Sequence, residues 1–315
     1  MNRAGRFFLS SEDFQPAYLE LLRNGELARR VEEAVASLES CETCPRCCRS
    51  NRLAGYTGTC LTGRWAVVSS VFPHLGEEDC LRGWRGSGTI FFSQCGLRCV
   101  FCQNYDISQT TSGKEVSAQA LADFMLHLQQ AGCHNVNFVT PDHVVPQILE
   151  ALLLAAEQGL RLPLVYNTSG YTSLKALEWL DGVIDIYMPD FKMSAREDAK
   201  LYLKAKDYPE VAEAAIREMH RQVGDLHIDE EGLAKRGVLV RHLVMPNEAS
   251  GSAEVMQKLA QISPDIYVNI MAQYRPAGEA RQPKYAAINR PVAAVEVQQA
   301  YLAARKAGLW RFDKR

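Results

Sequence analysis

The sequence has no long apolar stretch and almost no net charge, and each absence excludes a class of protein. None of its 315 residues belongs to a run approaching the roughly 20 apolar residues that cross a bilayer. The first ten residues are partly basic but lack the apolar core of a secretory signal, so we expect a cytoplasmic protein without a membrane partner. A formal charge of −2 gives no general attraction to nucleic acid, and we expect no nucleic-acid partner.

Internal repeats and low-complexity tracts are also absent, which excludes a repeat architecture. What the chain does have is a composition that can bury a large core, with 47% hydrophobic and 23% charged residues. It also has ten cysteines, nine of which lie between Cys41 and Cys102. In a chain without a secretory signal, cysteines at this density are better explained as metal ligands than as disulfides.

Cys95, Cys99 and Cys102 form a C-x3-C-x2-C pattern directly after a β-like run at 88–92. Cysteine thiolates bind iron–sulfur clusters, and a cubane of four irons normally takes four of them. This motif offers three, so one iron would remain open to a non-protein ligand. Such an arrangement is needed if a small molecule is to be bound and reduced at the metal.

Two other interpretations explain cysteines at this place. Structural zinc often uses C-x2-C pairs, but a closed zinc site needs four ligands in paired spacing, whereas Cys95 and Cys99 are four positions apart. Free cysteines are also commonly buried as small hydrophobic residues. We favour the iron–sulfur interpretation over both.

A second group of cysteines lies upstream. Cys41, Cys44, Cys48 and Cys60 form a four-thiolate set, and nearby glycines let the backbone turn toward the sulfurs. Such a set can hold zinc, which has no redox role, or a second iron–sulfur cluster, which can relay electrons. The remaining alternative is that these cysteines are free and structural.

Strand-like and helix-like runs alternate from residue 88 onward. The predicted strands are 88–92, 135–140, 163–167, 183–188, 238–245 and 266–271. This alternation predicts an α/β fold with a parallel sheet, in the form of a partial (β/α)6 barrel. We expect a helical and cysteine-rich extension over 1–85, then the barrel over 86–290, and a C-terminal helix and tail over 291–315. The stretch 65–87, across the boundary between extension and barrel, is interpreted as a connector.

Polar side chains follow most of the predicted strands. Because the carboxyl ends of parallel strands meet at one edge, these side chains are expected to gather there around a polar ligand. Charges such as those of Asp190, Lys192 and Arg241 are costly beside buried strands, which favours a function for them. Ser169 fits a turn or cap equally well. The candidates at this edge are Thr140, Asn167, Ser169, Asp190, Lys192, Arg241 and Gln273.

Together these motifs resemble the radical S-adenosylmethionine (SAM) superfamily, whose signature is C-x3-C-x-aromatic-C, with Phe101 as the aromatic residue. From Cys41 to the end of the sixth strand, the chain is similar to an uncharacterised subfamily that resembles pyruvate formate-lyase activating enzyme. That subfamily has an N-terminal C-x2-C-P-R-x-C-x2-N-R…G-x2-G-x-C block. The shared stretches are 41–60, 86–92, 101–104, 166–171, 189–192 and 271–274.

The resemblance implies that Cys95, Cys99 and Cys102 hold a [4Fe–4S] cluster whose open iron binds SAM. It also implies that an electron from a reductase such as flavodoxin or ferredoxin splits SAM to a 5′-deoxyadenosyl radical. That radical would take hydrogen from a protein or peptide substrate, for example at a glycine Cα. The SAM-binding residues implied are Phe101, Asn104, Thr140, Asn167, Ser169, Asp190, Lys192, Arg241, Met245 and Gln273.

Two stretches depart from the activating enzymes. Those enzymes usually carry Gly-Gly-Glu after the second strand to receive the SAM ammonium, whereas residues 139–141 are Val-Thr-Pro. They tend to have Asp-Thr-Asn-Gly where residues 167–170 are Asn-Thr-Ser-Gly. We expect SAM to bind with altered contacts. Two alternatives stay open: a radical SAM enzyme that acts on a small molecule, and a non-catalytic metal-binding or electron-transfer scaffold.

Overall fold

The structure is a computed structural model that describes residues 3–110 and 112–313. The ends of the predicted extension and tail, residues 1–2 and 314–315, therefore lie outside the described residues, as does residue 111. The strands are β1 (Ala66–His74), β2 (Ser87–Phe92), β3 (Lys114–Val116), β4 (Val136–Val139), β5 (Leu164–Thr168), β6 (Ile186–Pro189), β7 (His227–Ile228), β8 (Ala234–Leu243), β9 (Tyr267–Met271) and β10 (Arg311–Phe312). The helices are α1 (Tyr18–Arg23), α2 (Glu26–Ala36), α3 (Asp79–Arg82), α4 (Tyr105–Ser108), α5 (Ala118–Gln130), α6 (Val145–Glu157), α7 (Leu174–Leu180), α8 (Arg196–Asp198), α9 (Tyr208–Val223), α10 (Ser252–Ile262) and α11 (Ala294–Lys306).

These strands join one sheet in the order β10-β9-β8-β6-β5-β4-β2-β1-β3, with β7 paired to β8. The run β2-β4-β5-β6-β8-β9 is parallel throughout. It corresponds to the predicted strands, whose ends were placed within four residues of the observed ones. The prediction of an α/β fold with a largely parallel sheet is therefore confirmed.

The prediction that 65–87 is a connector was wrong. Ala66–His74 forms β1, which is antiparallel to β2 on one side and to β3 on the other. The strand was missed because only its first three residues are buried and a bulge interrupts its register between Val68 and Ser70. Neither a continuous apolar run nor a regular alternation marks it in the sequence.

The central strands are covered on both faces, as parallel sheets usually are. Every residue of β5 and of β6 is buried, and α6 contributes an almost continuous apolar surface that includes Ile148, Leu149 and Leu152. Burial of each such aliphatic side chain contributes about 1.5–3 kcal/mol, so the strand ends are held by a rigid interior. In the described ranges, no helix combines the length and apolarity needed to cross a bilayer.

Residues 41–65 contain neither helix nor strand and lie against the carboxyl edge of the sheet. Arg46 Nε donates to the carbonyl of Gly96 at 2.8 Å, and Arg52 Nη1 donates to the carbonyl of His143 at 2.8 Å. The cysteine-rich segment therefore contacts the loops that follow β2 and β4.

Candidate active site

The cysteines of the C-x3-C-x2-C motif lie on one loop, which follows β2 directly. Cys95 is buried, whereas Cys99 and Cys102 are half-buried. All three line the same cavity, which has a volume of about 300 Å³. One loop therefore presents three sulfur ligands to one space at the carboxyl edge of the sheet.

The same cavity collects polar side chains from the loops and strand ends around it. They come together because neighbouring parallel strands all end at this edge. The predicted residues that line the cavity with the cysteines are Phe101, Asn104, Thr140, Asn167, Ser169, Asp190, Lys192, Arg241 and Gln273. Their contacts with a ligand stay predictions.

Met245 does not line this cavity. β8 ends at Leu243, two residues before the predicted end, and the buried Met245 lines a different cavity next to α10 and α11. Leu243 and Met271 instead supply apolar wall to the cysteine-lined cavity, and the sequence analysis missed both. The signal that could have found them is their position as the last residues of β8 and β9.

Asp190 lies between two cations on the cavity wall. It accepts hydrogen bonds from Lys192 Nζ and from Arg241 Nε, the latter at 2.8 Å. Burial by itself raises the pKa of Asp190, but the two cations outweigh it and hold that pKa below its usual range. Burial lowers the pKa of Lys192, but Asp190 outweighs it and the net shift is upward. The cavity therefore presents fixed charges of both signs at neutral pH.

Comparison with known protein families identifies the family to which this chain belongs. The model of the radical SAM superfamily matches residues 89–260, which is more than half of the chain. The chain belongs to the radical SAM superfamily. The matched range includes the three-cysteine loop and every residue from Thr140 to Arg241 at the cavity.

Several proteins are similar to this radical SAM chain. An uncharacterised protein of Methanocaldococcus jannaschii is 32% identical over 299 residues, which cover 92% of this chain and 82% of that protein. Among solved structures, HydG, a maturase of the [FeFe]-hydrogenase, has a TM-score of 0.48 at 14% identity and covers 70% of this chain. This chain spans about half of HydG, 49% of its length. TYW1 with a lysine–pyruvate adduct bound has a TM-score of 0.43 at 10% identity, with 69% and 73% of the two chains covered.

Membership of the radical SAM superfamily implies a [4Fe–4S] cluster and SAM, and the three-cysteine loop fits this cluster. Burial raises the pKa of Cys99 to about 12, although the Lys192 ammonium opposes the shift, and burial also raises that of Cys95. These thiols are therefore neutral until a metal displaces their protons. No three His, Cys, Asp or Glu side chains in the described ranges converge on a single ion. A cubane does not need such convergence, because each thiolate binds a different iron.

Glu77 does not line the cavity but contacts two residues of its wall, and the sequence analysis missed it. It lies in the turn between β1 and α3, and its buried carboxylate accepts hydrogen bonds from Asn137 Nδ2 at 2.8 Å and Asn167 Nδ2 at 3.3 Å. It also lies 3.5 Å from Arg241 Nη1. Burial and the adjacent Glu78 raise the pKa of Glu77. Glu77 thus links the first strand of the sheet to the charged cavity wall, a contact that no local pattern indicates.

Asp142 follows the Val-Thr-Pro stretch where activating enzymes usually have Gly-Gly-Glu. Its buried carboxylate accepts hydrogen bonds from the hydroxyls of Thr168 and Thr172 and from the backbone and hydroxyl of Ser169. It does not line the cavity. Asp142 therefore positions the loop after β5, and the acceptor groups that face the cavity come from other residues.

The upstream cysteines also come together. Cys41, Cys44 and Cys60 are buried, Cys48 is half-buried, and Cys47 is exposed. Burial raises the pKa of Cys44, and the charges of the other three members of the predicted set add to this shift. Burial also raises the pKa of Cys41, but the Arg52 guanidinium and Thr43 outweigh it and lower the net value. Cys44 therefore lies within electrostatic reach of the other three cysteines that the sequence grouped.

The buried environment of His242 predicts how the unfolding free energy of the protein depends on pH. Its Nδ1–H faces the carbonyl of Phe191 at 2.7 Å and its Nε2 faces the Ser252 hydroxyl at 2.9 Å, so the buried ring fits the neutral form. Burial lowers its pKa to about 4. In the unfolded chain this histidine has a pKa of about 6.5, so as pH falls it binds a proton before the histidine of the folded chain does. The stabilisation that the neutral ring gives the fold above pH 6.5 is therefore lost progressively toward pH 4.

We expect this histidine to account for about 3 kcal/mol of the unfolding free energy lost between pH 7 and pH 4. Urea unfolding at both pH values should show a loss smaller by that amount in His242→Gln than in the wild type. The exposed His127→Gln on α5 serves as the control and should match the wild type. Equal losses in His242→Gln and the wild type would contradict the assignment.

Proposed function

We propose that this radical SAM protein acts on a protein or peptide substrate, in the manner of pyruvate formate-lyase activating enzyme. When bound, a [4Fe–4S] cluster and SAM would supply the one-electron reductive cleavage of SAM and the abstraction of a hydrogen atom. The observation that carries the proposal is the three-cysteine loop, which opens on a charged cavity that continues into a surface groove. The residues of the chain bind, orient and shield the reacting groups.

The cavity wall carries side chains suited to each part of SAM. Lys192 and Arg241 are cations suited to its carboxylate, and Asn167 and Ser169 bring further polar groups for its ammonium and hydroxyl groups. Asn167 Oδ1 already accepts a hydrogen bond from Arg241 Nη2 at 2.6 Å, which fixes its orientation. Phe101 supplies an aromatic face for the adenine. Cys95, Cys99 and Cys102 would hold the cluster at the same place. The loop bound to Asp142 stays rigid because its hydroxyls and backbone are already hydrogen-bonded.

The size of the cavity supports a substrate that enters from the surface. Its volume of about 300 Å³ is at the lower end of the range of about 300–1,000 Å³ for small-ligand sites, so SAM leaves little enclosed room for a second small molecule. An adjoining open groove of about 370 Å³ shares Cys102 and Gln103 with the cavity. Tyr105, Asp106 and Glu279 line this groove. An extended peptide can lie along it and bring one residue to the cluster loop.

Three further features belong to the same proposal. We infer that the sheet curves into the partial barrel predicted from the sequence, with the cysteine-rich extension against its carboxyl edge. We infer that a small reductase such as flavodoxin or ferredoxin supplies the electron. We infer a cytoplasmic location, which agrees with the oxygen sensitivity of such clusters.

The test begins with anaerobic reconstitution of the full chain with iron and sulfide, followed by SAM and dithionite. We expect 5′-deoxyadenosine only when the protein is reduced. A cell extract labelled with deuterium is then divided by ultrafiltration into proteins and small molecules, and each fraction is added separately. Deuterium in 5′-deoxyadenosine from the protein fraction supports the proposal. Deuterium from the small-molecule fraction alone, or a lack of 5′-deoxyadenosine from reduced protein, overturns it.

A further inference from the structure

We propose that Cys41, Cys44, Cys48 and Cys60 bind a second metal centre through four thiolates, separate from the cluster of Cys95, Cys99 and Cys102. The ligand class is a thiophilic metal: one zinc ion, or an iron–sulfur cluster with four protein ligands. This inference is independent of SAM cleavage. It explains how residues 41–65 are held in place and why a charged side chain is buried among them.

Residues 41–65 are unusually long for a segment without helix or strand. Loops of more than about 12–15 residues without secondary structure are uncommon inside compact domains, because ordering each residue costs conformational entropy. Despite this, Cys41, Cys44 and Cys60 are each about 95% buried. A metal that joins four points of such a loop would add a strong constraint to its turn hydrogen bonds, as it does in small zinc-dependent domains.

The local backbone selects which cysteines form the set. A Cβ placed on Gly58 would collide with the Sγ of Cys48, so Cys48 can sit at this position only because residue 58 has no side chain. Cys47 has a left-handed backbone (φ +43°) and an exposed side chain, which separates it from its buried neighbours. The structure thus distinguishes Cys48 from Cys47, although they are adjacent in sequence.

Arg52 points to an anionic centre at this place. Its side chain is only 1% exposed, and the described chain has no carboxylate within salt-bridge distance of it. Nε donates to the carbonyl of Gly63 at 2.9 Å, Nη1 lies 3.6 Å from the Sγ of Cys41, and Nη2 has no hydrogen-bond partner. A buried guanidinium without a counter-charge is strongly unfavourable. Neutral thiols or disulfides at these four cysteines would leave the Arg52 guanidinium without a counter-charge.

A four-thiolate metal centre supplies the missing negative charge. Four thiolates around one zinc ion or one oxidised cubane leave a net charge of about −2, next to the guanidinium of Arg52. Each thiol gives up its proton to solvent as it binds the metal. A single zinc ion would also require the four side chains to rotate toward a common centre, since they do not converge on one ion in the described structure, whereas a cubane has no such requirement.

The second centre would lie directly against the radical SAM loop. A Cβ on Gly96 would be 3.3 Å from the Sγ of Cys44, so the two cysteine sets approach each other at the residue next to Cys95. Arg46 also binds the carbonyl of Gly96, and Arg98 donates to the carbonyl of Thr59. A metal in the upstream set therefore stabilises the conformation of the cluster loop, and an iron–sulfur cluster there would be placed to exchange electrons with it.

The decisive measurement is the metal content of a Cys95→Ala/Cys99→Ala/Cys102→Ala variant of the full chain, purified anaerobically. We expect about one zinc, or about four irons with matching acid-labile sulfide, to remain per chain. Adding Cys44→Ser to this variant should remove that metal, whereas adding Cys47→Ser should not. A triple variant with neither metal overturns the proposal. Loss of metal with Cys47→Ser but not with Cys48→Ser would overturn the ligand assignment.

A second measurement keeps the test valid if Cys44→Ser prevents folding. In the folded triple variant, a chelator should increase the alkylation of the upstream cysteines, and an alkylation rate unaffected by chelator would contradict the proposal. Arg52→Gln should weaken metal affinity about 10–100-fold in chelator competition, because the counter-charge is lost. Arg49→Gln is the matched control, since Arg49 is exposed and pairs with Glu42. Equal affinities in the two arginine variants would show that Arg52 does not face an anionic centre.

Discussion

A Cys99→Ala variant is expected to form 5′-deoxyadenosine at no more than background level, a loss on the order of a thousandfold or more. Cys99 is the middle of the three cysteines on the cluster loop, and its sulfur lies within electrostatic reach of Cys102 and Lys192. Removing one of three protein thiolates leaves two irons without a protein ligand, and a cubane held by two thiolates is not retained. Iron content and 5′-deoxyadenosine should be measured on the same anaerobic preparation.

The matched control is Cys133→Ala. Cys133 is also a buried cysteine, but it lies between α5 and β4, away from the cavity. We expect this variant to keep its iron and to retain activity within about twofold, since the substitution removes one small side chain from the core. A wild-type protein that forms no more 5′-deoxyadenosine than Cys99→Ala would show that the loop does not hold the reactive cluster.

An Asp190→Asn variant is expected to lose about 3 kcal/mol of unfolding free energy. The substitution leaves Lys192 and Arg241 largely buried without the carboxylate that both contact. Breaking a buried ion pair costs about 3–5 kcal/mol, and we expect the lower end because Arg241 keeps its contact with Glu77. Urea unfolding of the protein without SAM measures the loss.

Asp181→Asn provides the comparison for this prediction. Asp181 also pairs with an arginine, Arg221, but the two side chains are 39% and 59% exposed. Such a pair contributes at most about 1 kcal/mol. Isothermal titration with SAM should show weaker binding in Asp190→Asn and unchanged binding in Asp181→Asn. Similar unfolding free energies for the two variants would contradict the role assigned to the Asp190 network.

The Asp190 network is expected to link the stability of the fold to the proposed binding of SAM. Its charged side chains come from the turn after β1, the loop after β6 and strand β8, so the charges that face the cavity are fixed before a ligand arrives. Preorganised charges of this kind need no rearrangement when a polar ligand binds. The cost is that the fold depends on them, which is why a single substitution at Asp190 is expected to affect both properties.

The cluster loop, the parallel strands and part of the cavity wall could be predicted from the sequence alone, because each depends on residues that are close together in the chain. Thiolate ligands on one loop need only a spacing of C-x3-C-x2-C, and the parallel strands are apolar runs buried on both faces. Asp190 and Lys192 are two positions apart directly after β6, so the end of a strand already placed them at the correct edge of the sheet.

Only the tertiary structure decided the features that depend on contacts between distant segments. Glu77 contacts Asn167 and Arg241, although the sequence around it was interpreted as a connector. Asp142 accepts hydrogen bonds from a loop some 30 residues further along the chain. The end of β8 at Leu243 excludes Met245 from the cavity, because strand length is set by pairing with β9. The burial of Arg52 beside Cys41 is likewise invisible in the sequence. A sequence pattern records what neighbouring residues prefer, whereas these contacts arise from how the whole chain packs.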